Sequence, residues 1–176
     1  MANFVLMGAL NAACPPGWFL WQGSCYIFLP GKMDFIDGKK SCSELGANMM
    51  VPDTEDEQDF IWREIETQLE EGRNVNSVND LDVWIGCQDF KNDGSLVCMG
   101  VEGDLTFKNW EQSGTNDEPG EPNEKCVRMT GKWKGKWGDS SCSDIKLTAC
   151  EMPVSGRMQC VTANADGRFG PSILHI

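Results

Sequence analysis

Two aromatic and apolar runs near the N-terminus predict a β-hairpin. Two runs rich in aromatic and apolar side chains, residues 18–21 and 26–28, flank a Gln-Gly-Ser turn. Cys14 and Cys25 lie on the two arms, at a spacing that allows a disulfide between them. We therefore expect the domain to begin with a short pair of strands at residues 14–28.

A helical period of apolar residues follows at residues 34–45 and predicts a first amphipathic helix. Lys39 and Lys40 would point outward, and Gly46 is a suitable stop. The side chains predicted to face the core are Phe35, Ile36, Cys42 and Leu45.

A second helix is predicted to start at residues 54–57, where Thr-Glu-Asp-Glu has the pattern of a capping box. Its acids would stand at the positive end of the helix dipole. The helix would run towards Gly72, before a polar loop at residues 71–80. Its apolar face is predicted to consist of Phe60, Ile61, Ile65 and Leu69.

The second half of the chain predicts strands separated by turns. Residues 81–86 form a buried strand, and the turn signal at residues 91–95 brings Cys98 back towards Cys87, so that the two could bridge the hairpin. Residues 111–125 are polar and irregular, and loops of this length usually have a function. Further strands are predicted at residues 126–129, 136–137 and 146–151.

Composition and net charge indicate which kinds of binding partner the protein favours. The 176 residues suggest one domain, and seven Trp with eight Phe can form a sizeable core. The net charge of −12 makes nucleic acid and anionic membrane poor partners and a cation a better one. No apolar run after the N-terminal segment reaches the roughly 18–20 residues of a membrane span.

Nine cysteines without a Cys-x-x-Cys pair predict a disulfide framework formed in an oxidising compartment, hence a secreted, extracellular protein. Residues 1–13 are apolar and end in small residues. They form either the remnant of a secretory signal or an ordered strand of the mature chain.

Candidate chemistry concentrates in residues 118–126, Glu-Pro-Gly-Glu-Pro-Asn-Glu-Lys-Cys, and residues 137–142, Trp-Gly-Asp-Ser-Ser-Cys. The first stretch holds three carboxylates and an amide within seven residues. Such hard oxygen ligands suit Ca²⁺, whereas the chain has a single His for softer metals. A cis Glu121-Pro122 bond would turn Glu121 and Asn123 towards one point. The alternative is an acidic surface loop without a ligand.

In this order, the elements and motifs of residues 14–151 resemble the C-type lectin-like domain. The motifs are Cys-Pro-Pro-Gly-Trp (14–18), Cys-Tyr (25–26), Trp-Ile-Gly (84–86), Glu-Pro-Asn (121–123), Trp-Gly-Asp (137–139) and Ala-Cys-Glu (149–151). The resemblance implies an α+β fold with two helices, two small antiparallel sheets and a long Ca²⁺-binding loop. Residues 152–176 would then be a C-terminal tail.

The resemblance also implies disulfide pairs. These are Cys14–Cys25, Cys42–Cys150 and Cys126–Cys142. The pair Cys87–Cys98, inferred from the hairpin alone, is outside the usual family set. Cys160 is left unpaired, as a free thiol or as the origin of an intermolecular bridge.

In sugar-binding members of the family, the motifs that match Glu121, Asn123, Glu124 and Asp139 hold one Ca²⁺, and that ion takes two vicinal sugar hydroxyls. The Glu-Pro-Asn order implies mannose, glucose or fucose rather than galactose. The chain departs from the pattern at Gly138, where the family has Asn. Losing that ligand would cost roughly 1–3 kcal/mol. A second Ca²⁺ position drawing on Asn116, Asp117 or Glu118 is left unassigned.

Two hypotheses follow. The first is a secreted, Ca²⁺-dependent lectin of mannose type, without catalysis. The second is a structural or protein-binding subunit with an impaired sugar site, which forms homo-oligomers through residues 1–13, the tail or Cys160. A hydrolase is disfavoured because nucleophile, base and orienting group do not occur together and His175 has no evident partner. Trp133 and Trp137 are expected in the core or at its rim, with stacking on a sugar as the alternative.

Overall fold

The computed structural model describes residues 14–70, 81–91, 95–111, 124–154, 159–163 and 169–173. For residues 68–70, 159–163 and 169–173 it describes the backbone only. The chain divides into two compact units, one of residues 1–25 and 153–176 and the other of residues 26–152. The described elements are β1 (Phe19–Trp21), β2 (Ser24–Met33), α1 (Phe35–Glu44), β3 (Asn48–Met49), α2 (Glu55–Glu70), β4 (Asp82–Gln88), β5 (Val97–Cys98), β6 (Cys126–Thr130), β7 (Lys136–Ser140), β8 (Lys146–Pro153), β9 (Gln159–Ala163) and β10 (Phe169–Ile173).

The smaller unit contains β1, the turn into β2 and a C-terminal hairpin. β1 turns back into β2 through Gln22 and Gly23, which both have positive φ, 40° and 100°. β9 and β10 pair antiparallel, with the Cys160 backbone opposite Ser172. Residues 1–13, which the sequence leaves between two interpretations, lie outside the described residues.

The larger unit contains a sheet with the strand order β2-β8-β4-β6-β7. β4 runs parallel to β8, whereas the pairs β4–β6 and β6–β7 are antiparallel. β3 adds to β8, and β5 adds to β4. With two helices beside these strands, the structure has the expected α+β class.

Helix α1 has the predicted bounds but a narrower buried face. The Asp34 carboxylate accepts from the Asp37 N–H at 2.8 Å and caps the N-terminus. Phe35 and Cys42 are buried, whereas Ile36 is 60% exposed and Leu45 is 47% exposed. The prediction for these last two was wrong because Ile36 lies about 100° around the helix from Phe35, and Leu45 is already the C-cap residue.

Helix α2 begins as predicted. The Thr54 hydroxyl accepts from the Glu57 N–H at 3.2 Å, which confirms the cap. Glu57 itself departs from a capping box, since its carboxylate is buried and accepts from the Asp53 N–H at 2.8 Å. Ile61 and Ile65 are buried as predicted. The structure describes only the backbone of Leu69, and residues 71–80 lie outside the described residues.

The core lies on both faces of the sheet, with Phe35 of α1 on the Trp84 face and Gln58 of α2 on the Trp137 face. Trp84 and Ile85 are fully buried, which confirms their predicted core role. The ring of Phe35 packs edge-on against Trp84 with centroids 5.5 Å apart. A β-carbon on Gly86 would stand 2.7 Å from the carbonyl oxygen of Met49, so this strand position accepts glycine only.

In the part of the chain that the structure describes there are four disulfides, and they are the pairs expected from the sequence: Cys14–Cys25, Cys42–Cys150, Cys87–Cys98 and Cys126–Cys142. Cys42–Cys150 joins α1 to β8 across 108 positions of sequence. Cys87 and Cys98 are register partners of β4 and β5. Neither helix in the described part of the chain is long and apolar enough to cross a membrane.

Candidate functional site

Among the described residues, strand β7 carries one of the predicted ligands, Asp139. Asp139 is 3% exposed and pairs with Val127 of β6. Because side chains alternate along a strand, Asp139 and Trp137 share the face that points into the core. Trp137 is fully buried, and its Nε1–H donates to the Gln58 Oε1 at 2.6 Å. The buried carboxylate is therefore attached to a rigid strand.

The described residues that flank the polar segment 112–123 lie towards opposite edges of β7. At one edge, the Trp137 N–H donates to the Asn109 carbonyl at 2.8 Å and the Glu111 N–H donates to the Trp137 carbonyl at 3.0 Å. At the other edge, Glu124 lies two residues before Cys126, which pairs with Ser140. The segment that contains Glu-Pro-Asn therefore leaves and returns beside the strand that carries Asp139.

The described residues include two of the four predicted ligands. Glu124 and Asp139 lie at the loop exit and in β7, as described above. Glu121 and Asn123 lie outside the described residues, as do Asn116–Glu118 and the peptide bond before Pro122. Within the described ranges, no group of three or more His, Cys, Asp or Glu side chains could hold a metal ion. The convergence of the four ligands remains a prediction.

Two acids at the margins of this region were not predicted from the sequence. Asp89, 1% exposed, follows β4, and its N–H donates to the Lys125 carbonyl at 2.9 Å, next to Glu124. Glu111 is half-buried at the entrance of segment 112–123. The position of Asp89 directly after a buried strand was the available signal. For Glu111 no signal existed, because its pairing with β7 is a tertiary contact.

The position where the family has Asn is occupied by an aromatic ring. A β-carbon on Gly138 would stand 2.6 Å from Cζ3 of Trp133. Beside this ring, the Arg128 Nε–H donates to the Asp139 carbonyl at 3.3 Å, while its Nη1 bonds Asp82 at 2.7 Å. Trp133 is thus a half-buried rim residue and Trp137 a core residue, consistent with the first expectation for both.

A second buried polar cluster lies where α2, β2 and β8 meet. The Tyr26 hydroxyl donates to Glu57 and also lies 3.4 Å from the Glu151 Oε1. The pKa of Glu57 is raised to about 7, mainly because burial disfavours the charged carboxylate and to a smaller extent because of the negative charge of Glu151. Hydrogen bonds from the Asp53 N–H and the Tyr26 hydroxyl oppose this shift of the pKa without cancelling it. The capping-box pattern gave no hint of this role for Glu57.

Residues 31–152 match the family described as Lectin C-type domain, and the chain belongs to this family. The mouse low affinity immunoglobulin epsilon Fc receptor is 31% identical over 144 residues, which cover 78% of this chain and 37% of the receptor. The chain therefore spans little more than a third of that relative's length.

Solved structures show the same fold with different ligand properties. The cow C-type carbohydrate-recognition domain of CD23, crystallised in the presence of GlcNAc2Man3 oligosaccharide, superposes with a TM-score of 0.65 at 26% identity, covering 82% of this chain and 98% of that one. A calcium-independent type II antifreeze protein superposes with a TM-score of 0.66 at 20% identity, covering 84% and 98%. The fold alone therefore leaves the ligand to be argued from the site.

Proposed function

We propose that this domain is a secreted, Ca²⁺-dependent lectin that binds mannose-type glycans through Glu121, Asn123, Glu124 and Asp139. The main support is the placement of Asp139. Asp139 is buried in β7, between the described residues that flank the segment carrying Glu-Pro-Asn. A carboxylate on a strand at this place offers the hard oxygens that Ca²⁺ prefers.

The residue types fit a Ca²⁺ site with a sugar. Three carboxylates and an amide supply hard oxygens, and Ca²⁺ accepts six to eight such ligands in a flexible geometry. A bound Ca²⁺ supplies open coordination positions for two vicinal hydroxyls. The carboxylates can accept a hydrogen bond from a sugar hydroxyl while the Asn123 amide donates one. No bond is made or broken in this process, so we propose binding without catalysis.

The test is retention on mannan. We expect the parent chain to be retained with Ca²⁺ and released by a chelator. Glu121→Gln should weaken retention by about tenfold or more, because it removes a charged ligand of the ion. Glu102→Gln, the same change at an exposed acid, is the control and should leave retention unchanged. Failure to bind any mannose- or fucose-bearing glycan with Ca²⁺ present would remove the proposal.

A second candidate is a structural or protein-binding C-type lectin-like subunit with an impaired sugar site. The observation that favours it is the Trp133 ring at Gly138, which occupies the place of a family ligand. Self-assembly would then use residues 1–13, the tail or Cys160. Sedimentation of Cys160→Ser tests the covalent part, which is abandoned if that variant assembles like the parent.

A further inference from the structure

The hairpin of β6 and β7 has a basic tip in a chain of net charge −12. The sequence of residues 131–136 is Gly-Lys-Trp-Lys-Gly-Lys, with a 3-10 turn at Gly131–Trp133. Lys132 and Lys134 are exposed, and Lys136 is half-buried. The local charge is therefore opposite in sign to that of the whole molecule.

Strand register places a further cation on the same face. Arg128 pairs with Gly138, and Thr130 pairs with Lys136. Side chains of paired residues lie on one face of the sheet, so Arg128 and Lys136 share the face opposite Trp137. This face also holds the half-buried ring of Trp133, against Gly138. We call Arg128, Lys132, Trp133, Lys134 and Lys136 the basic face.

The ring of Trp133 is held among these cations. The Lys132 Nζ lies 5.3 Å from the ring centroid, and the Arg128 Cζ lies 5.6 Å from it. Both distances are within the range of cation–π attraction. Since a β-carbon at position 138 would overlap the ring, the close contact with Gly138 further fixes the ring position. An aromatic surface is thus preorganised beside several cations.

Neighbouring carboxylates neutralise only part of the charge. Asp82 bonds Arg128 at 2.7 Å and lies 3.5 Å from the buried Lys146, which also bonds Asp144 at 3.2 Å. Among the residues that the structure describes, Lys132, Lys134 and Lys136 form no salt bridge. These three lysines account for the positive charge available to a ligand.

Two neighbouring acids lie on the other side of the hairpin. On the α2 side, the Glu66 carboxylate accepts from the Trp62 Nε1–H at 2.8 Å, and the Trp62 ring lies against Gly135. Asp139 points into the core, away from the basic face. A ligand on the basic face can therefore pair with the lysines from the side of the hairpin opposite these two carboxylates.

We propose that the basic face is a second binding site, for acidic oligosaccharides that carry sulfate or carboxylate groups. The lysines pair with the anionic groups, and the exposed part of the Trp133 ring contacts the C–H face of a sugar. A nucleic acid duplex fits less well, because it extends beyond three lysines and meets the acidic remainder of the surface. This site goes beyond the proposed Ca²⁺ site and shares no residue with it.

The experiment is calorimetric titration of the full chain with a heparin-derived octasaccharide, in a chelator and at about 0.15 M salt, where charges are screened beyond about 8 Å. We expect binding that weakens with added salt. Lys132→Glu/Lys134→Glu should lower the affinity by about tenfold or more, because it replaces attraction by repulsion. Lys39→Glu/Lys40→Glu makes the same change of charge on exposed positions of α1 and should change the affinity less than about twofold. An equal loss in both variants would overturn the site.

The variant Trp133→Ala tests whether the basic face recognises a sugar or binds any polyanion. It keeps every charge of the basic face, and we expect it to lower octasaccharide affinity by roughly fivefold while leaving binding of an inorganic polyphosphate unchanged. Thermal unfolding of each variant checks that it is folded. An unchanged octasaccharide affinity, or an oligonucleotide of equal charge that binds the parent as tightly, would overturn the assignment to glycans. The chelator removes Ca²⁺, so the proposed Ca²⁺ site cannot contribute to octasaccharide binding. The outcome of the mannan experiment and the outcome of this titration are therefore independent.

Discussion

The ring of Trp133 occupies the space that a side chain at Gly138 would need, with Cζ3 2.6 Å from the position of a β-carbon. We therefore expect Gly138→Asn to displace the ring and lower the free energy of unfolding by about 1–3 kcal/mol, the usual cost of overpacking. Thermal unfolding measures this effect.

A double-mutant cycle tests the cause. In Trp133→Ala the space is open, so adding Gly138→Asn should cost much less than it does in the parent. If the two effects are additive, the contact between these residues does not govern position 138. The double variant is also the fair test of whether an amide at position 138 improves Ca²⁺ and sugar binding.

The buried Glu57 predicts an unusual dependence of stability on pH. Its pKa is raised from 4.5 to about 7 by burial, so the folded protein holds a proton that the unfolded chain releases. The resulting stabilisation is complete below pH about 4.5 and is lost as the pH rises through about 7. We expect the loss to be of order 1–3 kcal/mol, shared with Glu151 and Tyr26.

Glu57→Gln provides the comparison. Glutamine can still accept from the Asp53 N–H and still contact Tyr26, but it does not titrate. Melting temperatures measured between pH 5 and 7 should therefore fall less in this variant than in the parent. The same slope in both proteins would assign the pH dependence to other groups.

Gln58 connects α2 to β7 through a buried amide. Its Oε1 accepts from Trp137, and its Nε2 donates to the Gly135 carbonyl at 2.9 Å. Gln58→Leu keeps the volume but leaves these partners unpaired, so we expect a loss of about 2–4 kcal/mol. Chemical denaturation measures it, with the exposed Glu55→Gln as a control expected within about 0.5 kcal/mol of the parent. A Gln58→Leu protein as stable as the parent contradicts the role of the amide.

The disulfides should contribute different amounts to the free energy of unfolding, because they close loops of different length. Cys42–Cys150 spans 108 positions and Cys87–Cys98 spans 11. In the chain-entropy model the first contributes roughly 4–5 kcal/mol and the second roughly 3 kcal/mol. Replacing each pair by alanine and comparing the unfolding free energies tests this order. The reverse order would show that packing around the bridges outweighs loop closure.

Ca²⁺ should stabilise the domain if the proposed site is correct. At a concentration 100 times the dissociation constant, one bound ion adds about 2.7 kcal/mol to the free energy of unfolding. We expect a Ca²⁺-dependent rise in melting temperature that Asp139→Asn reduces. A rise of the same size in that variant would place the ion away from Asp139.

The sequence predicted those features that depend on local chemistry or on the family resemblance. The Thr54 cap, the Gln22–Gly23 turn and the Cys87–Cys98 hairpin each follow from a few adjacent residues. Tertiary contacts could not be predicted from the sequence. Helical spacing alone could not decide that Ile36 faces solvent, and a capping pattern could not show that Glu57 turns inward to Tyr26.

The candidate site was predictable to a lesser degree. Motifs selected Asp139, and the sheet explains why it is buried. A missing Asn at position 138 suggested a gap, yet a ring five residues away in sequence lies there, because the tight β6–β7 hairpin folds Trp133 back onto β7. Such a replacement depends on the three-dimensional path of the chain, which no motif encodes.

The bridge between Cys42 and Cys150 has a practical consequence for proteolysis. Residues 71–80 and 112–123 both lie between its two half-cystines. Cleavage of the backbone at a single bond in either segment would leave two fragments that are still covalently joined. A nicked sample would therefore run as one band on a gel without reductant and separate into two only after reduction.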